Sequence, residues 1–105
     1  MLLEDIARKS SVLSTRECSP QAIDTARMAI MDTIGVSLAG AREDCTLAVY
    51  RVCRRTMGSG SSLIFGQTGG VDVLSAALVN GTASHALDFD DCSNTLGGHP
   101  SAPIV

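Results

Sequence analysis

The stretch ASHALDFDDCSNTLGGHPSAPIV, from Ala83 to Val105, gathers Asp88, Asp90, Asp91, both histidines of the chain (His85 and His99) and Cys92 around one glycine-bearing loop. Carboxylates this close repel one another unless a hydrogen-bond donor, a metal ion or a proton relieves them, so such a density of titratable groups reads as a site. A carboxylate and an imidazole facing each other across a short loop are the parts needed for general acid and base chemistry near neutral pH. His99 precedes Pro100, which restricts it to extended backbone and presents its ring stiffly. Asp88 is the strongest of the three carboxylates as a group that touches substrate. Asp90 and Asp91 read equally well as a helix end and its cap, His85 as an interior histidine, and Cys92 as a small polar lining group. Asp88, Asp90, Asp91 and His99 are chemically able to hold Mg²⁺ or Ca²⁺. Their spacing lacks the Asp-x-Asp-x-Asp-Gly series and distal Glu of an EF-hand, so no metal is expected.

The elements that position this loop follow from pattern. Glu4 to Leu13 predicts a short helix with Leu3, Ile6 and Ala7 on its apolar side. Ser19 followed by Pro20 is a start signal, and Ile23, Ala26, Ile30, Ile34 and Leu38 then recur at helical steps until Gly40 supplies a stop. A third helix is expected over Glu43 to Met57, with Leu47, Val49, Val52 and Cys53 inward and Arg51, Arg54 and Arg55 near its negative end. Gly58 to Gly70 reads as a loop with a short extended piece. It has neither a GxGxxG fingerprint nor a GK[ST] ending, which argues against a phosphate loop. Val71 to Phe89 predicts a fourth helix, with Leu74, Ala77, Leu78, Gly81, His85 and Phe89 on one face and Gly81 admitting a close neighbour. Extended that far, the helix places Ser84, Asp88 and Asp91 together at its C-terminal end, where the dipole disfavours bare negative charge.

Composition bounds the function. The chain has 105 residues, 45% hydrophobic and 18% charged, enough for one small domain with a core of Leu, Ile, Val, Ala and Met rather than aromatics. All 8 Lys and Arg lie at or before Arg55, and the net charge is −3. With no basic footprint and no stacking platform, nucleic acid is not expected as a partner. No apolar run reaches the roughly 20 residues that span a bilayer, and Glu4 and Asp5 interrupt any leader-like apolar core, so no membrane association is expected. Cys18, Cys45, Cys53 and Cys92 form no C-x-x-C pair and read as reduced thiols of a cytoplasmic protein.

Two runs carry a family resemblance. NGTASHALDFDD from Asn80 to Asp91, followed by GHPSAPIV from Gly98 to Val105, resembles the N-terminal helical domain of the MmgE/PrpD family, and AIMDTIGVSLAG from Ala29 to Gly40 is similar to an earlier signature of that family. The resemblance covers about Ala22 to Val105. It implies an all-α domain, joined in complete members to an α/β lid that this chain lacks, usually assembled as a homodimer and working without metal, flavin or nicotinamide cofactors. By motif position, Asp88 and His99 match active-site residues, and Cys92 falls where several members carry Thr. The resemblance therefore implies the N-terminal portion, residues 1–105, of a cofactor-independent lyase acting on a small di- or tricarboxylate such as 2-methylcitrate or cis-aconitate. Asp88 and His99 would be catalytic, with Cys92, His85 and Asp91 at the substrate. Members run several times longer, with further active-site His, Lys and Tyr residues, so the rival expectation is a catalytically silent helical fragment or one subunit of a split enzyme.

Overall fold

Ser19 and Pro20 begin the longest helix as their chemistry dictates. The Ser19 hydroxyl accepts from the Ala22 amide at 3.1 Å, and Pro20 occupies the first turn, where no amide donor is needed. The computed structural model describes residues 1–95 and 97–105. Its elements in order are α1 (Leu2–Val12), a 3₁₀ turn (Thr15–Glu17), α2 (Pro20–Gly40), α3 (Asp44–Cys53), a single short strand β1 (Ser59–Ser62) and α4 (Val73–His85). The described residues are thus mostly helical, as expected of an all-α domain.

Helix α4 is the centre of the structure, packing against α2, α3 and β1. Its buried face is Ala76, Val79, Ala83 and Ser84, and Val79 joins Cys53, Ile64 and Ala76 in the core. This corrects the expected face: Leu74, Leu78 and Phe89 are exposed, and Gly81 has no neighbour where its side chain would stand. The close approach falls instead on Gly40, at the C-terminal end of α2, where a Cβ would run into the Ala83 carbonyl oxygen. Small residues therefore set the crossing of α2 and α4. On α2 the buried set is Thr33, Ser37 and Gly40, and the two hydroxyls are satisfied within the helix by the Ala29 and Thr33 carbonyls at 2.8 and 2.6 Å.

The apolar stripe expected to enter the core lies elsewhere. Ile30, Ile34 and Leu38 are exposed, as are Met28 and Met31 on a different side of the same helix. A helix apolar on several faces is a buried helix of a larger assembly, and α2 has that character. The radius of gyration, 15.5 Å, exceeds the about 13 Å of a compact chain of this length, in part because α1 buries none of its residues. Helix α3 ends at Cys53, earlier than expected, with Cys53 buried, Leu47 and Val49 half-buried and Val52 exposed.

Two side chains fasten the glycine-rich segment to α4. Asn80 donates to the Leu63 carbonyl and accepts from the Phe65 amide, both at 2.9 Å, and Asp72 caps α4 by accepting from Ser75 while also accepting from the Gly58 amide, again at 2.9 Å. The Ser75 hydrogen bonds, backbone first, hold the Asp72 carboxyl below its ordinary range. A folded-state value below the unfolded one gives stability that is present above the unfolded value of 3.8 and is lost as pH falls through the folded value. Asp72→Ala is expected to lower the thermal midpoint by several degrees near neutral pH, with the difference from the parent shrinking in acid. Thermal denaturation followed by circular dichroism at a series of pH values checks both.

Candidate active site

The fourth helix stops at His85, four residues before the expected end. The Ala86 amide turns back to the Ala83 carbonyl at 3.4 Å and the Asp88 amide to the His85 carbonyl at 3.2 Å, while Asp88 adopts a left-handed φ of 55°. Aspartate is among the few side chains that enter this region readily. Asp88, Asp90 and Asp91 therefore do not extend along a helix face: the chain reverses, and the alignment of Ser84, Asp88 and Asp91 expected from helical spacing is not formed.

The reversal brings a different set together. Asp90, whose side chain has no exposed surface, has one carboxylate oxygen 3.0 Å from His85 Nδ1 and the other 3.4 Å from His99 Nδ1. His99 Nε2 lies 3.5 Å from Asp88 Oδ1, and His85 Nδ1 lies 4.0 Å from that same oxygen. The two imidazoles meet edge to face with centroids 4.6 Å apart. Cys92 Sγ stands 3.8 Å from His99 Nδ1, so the thiol and a buried carboxylate face the same ring nitrogen. Asp88 is largely exposed and His99 about one-quarter exposed, giving the cluster an open side built on a buried anchor.

Asp91 is turned away from this group. Its two oxygens accept from the Ser101 amide at 3.0 Å and from the Ser101 hydroxyl at 2.7 Å, tying the two ends of the loop together. Inside that closure the Ser93 amide donates to the Gly98 carbonyl and the Gly97 amide to the Ser93 carbonyl, each at 2.8 Å, with Gly97 at a positive φ of 66°. His99 is held by this closed loop as well as by Pro100. With Cys92, Ser93, Asn94 and Gly98 it lines a shallow hollow, and His85 lines another with Cys45, Leu78 and Thr82.

Sequence reasoning gave Asp90 no place at the site. Helical spacing pairs Asp88 with Asp91, whereas in a non-helical stretch alternate residues share a side, which would pair Asp88 with Asp90. The hydrogen bond from Asp90, then its charge, with a smaller contribution from Asp88, hold the His85 imidazole above its ordinary range against some desolvation. A raised folded-state value gives stability that is fully present below the unfolded value of 6.5 and is lost as pH rises through the folded one. The His85 ring is expected to titrate above free histidine by NMR and to move back toward it in Asp90→Asn.

The profile of the MmgE/PrpD N-terminal domain matches residues 4–105. The chain belongs to the MmgE/PrpD family. The match spans both runs quoted from the sequence, so the α2–α4 pair with its Gly40 contact and the carboxylate–imidazole loop belong to one MmgE/PrpD N-terminal domain. Neither a curated protein nor a solved structure matches the chain significantly. Among the described residues, no helix of this MmgE/PrpD domain is long and apolar enough to cross a membrane.

Proposed function

We propose that the chain is the N-terminal portion of a cofactor-independent lyase that acts on a small di- or tricarboxylate such as 2-methylcitrate or cis-aconitate, with His99 moving the proton. The observation that carries this reading is the His99 ring between two carboxylates, Asp90 at Nδ1 and Asp88 at Nε2, beside an open hollow. In dehydration His99 takes a proton from the carbon next to a substrate carboxylate as hydroxide leaves; in decarboxylation it gives a proton to the carbon from which CO₂ departs. Asp88, exposed and facing Nε2, orients the ring or binds a substrate hydroxyl. Cys92 lines the hollow and, as a weaker hydrogen-bond partner than Thr, tunes substrate choice. His85 borders the cluster, and Asp91 acts through the Ser101 closure.

Substrate carboxylates need cationic partners, and no Lys or Arg follows Arg55. On this reading those partners come from further chain or from a second subunit of a cytoplasmic homodimer, which would also cover the exposed face of α2. The same two features favour the second reading, a catalytically silent helical piece or one component of a split enzyme. Incubating the protein, alone and with its complete or complementary chain, with 2-methylcitrate, cis-aconitate and iminodisuccinate and following products by NMR separates dehydration, decarboxylation and epimerisation. A folded protein that turns over none of these in either form would support the silent reading.

A further inference from the structure

One donor atom each from His85, Asp88, Asp90 and His99 falls within 4.8 Å of the others. A tetrahedral ion with bonds of about 2.0–2.1 Å needs ligand–ligand edges of about 3.3 Å. The separations here are 3.0 Å for His85 to Asp90, 3.5 Å for His99 to Asp88 and 4.0 Å for His85 to Asp88, so small side-chain rotations rather than backbone movement would close the set. Two imidazole nitrogens with two carboxylate oxygens suit a zinc-class ion better than Mg²⁺ or Ca²⁺, which prefer all-oxygen shells. This is a different set from the one weighed on sequence: His85 enters and Asp91, committed to Ser101, leaves.

A second observation points the same way. The Asp90 carboxylate is fully buried and faces only imidazoles among the cationic residue types, with no Lys or Arg in the chain beyond Arg55. A buried carboxylate needs compensating positive charge, and a divalent ion bridging it to Asp88 would supply that for both carboxylates. The framework is already fastened by the Asp91–Ser101 bonds and the Ser93–Gly98 bridge, while the exposed Asp88 and His85 side chains leave an entry path.

We propose that His85, Asp88, Asp90 and His99 form a binding site for a zinc-class divalent ion. Bound there, the ion occupies the groups assigned to proton transfer, so it is an inhibitor of the reaction rather than a participant in it. That consequence rests on the proposed function, whereas the binding itself does not.

The test is calorimetric titration of the chain with zinc chloride near neutral pH, together with His85→Gln and Asp88→Asn, both substitutions at exposed positions that leave the core intact. One zinc ion per chain is expected at micromolar concentration, with millimolar magnesium failing to compete. Each substitution is expected to weaken binding by at least the about 10- to 100-fold that loss of a mere outer-shell partner produces. Cys18→Ser and Cys45→Ser should leave the affinity unchanged. No uptake at sub-millimolar zinc, equal affinity in both ligand variants, or loss of binding on removal of a thiol would each overturn the site. Since no turnover is measured, failure here leaves the lyase reading standing, and an inactive protein that binds zinc leaves the site standing.

Discussion

His99→Gln in the complete or reconstituted protein is expected to cut turnover by about 10²- to 10⁴-fold while substrate affinity changes far less, the range for losing a general acid or base. Glutamine keeps the approximate size of the ring and a hydrogen-bonding end, so the Asp91–Ser101 closure that carries residue 99 has no reason to open. Asp88→Asn retains shape and removes the charge 3.5 Å from Nε2, so it should also depress turnover strongly, and its exposure makes a folding defect an unsuitable explanation. Cys92→Thr should keep activity and move substrate preference. Steady-state kinetics on variants whose thermal midpoints match the parent separates these outcomes from loss of fold.

Two glycines of one helix should respond to alanine with opposite signs. Gly40→Ala drives a methyl into the Ala83 carbonyl oxygen and within 3.1 Å of the Ala86 Cβ, and backbone cannot yield as a flexible side chain can. Overpacking of this kind costs about 1–3 kcal/mol. Because Ala83 leads directly into His85, movement of α4 to relieve the clash would also displace the imidazole that contacts Asp90. Gly35→Ala, in the same helix with nothing near its Cβ, should instead stabilise by up to about 1 kcal/mol through helix propensity alone. Denaturant unfolding of the two variants reads the contrast; equal effects would remove the tight α2–α4 crossing from the account.

The start of α2 and the cap of α4 were legible because they depend on residues within one turn of each other, Ser19 with Ala22 and Asp72 with Ser75. What the sequence did not reveal was which face each helix buries. Periodicity finds the most apolar stripe, and on α2 that stripe, Ile30 to Leu38, is not the surface that meets α4. The contact is made by Thr33, Ser37 and Gly40, whose small volumes permit close approach and whose hydropathy gives no signal. The loop was half legible for a related reason. Asp88 and His99 stood out by type and by family position, but their relation to Asp90 depends on the chain leaving the helix at His85 and on Asp88 adopting a left-handed backbone, a choice open to Asp but not dictated by it.

The central claim is that His99 moves a proton to or from the carbon beside a substrate carboxylate. It is tested most directly by incubating the complete protein with substrate in D₂O and following deuterium at that carbon by proton NMR. The account predicts incorporation by the parent, near-complete loss in folded His99→Gln, and retention in Cys92→Thr. Incorporation by folded His99→Gln at the parent rate would contradict it.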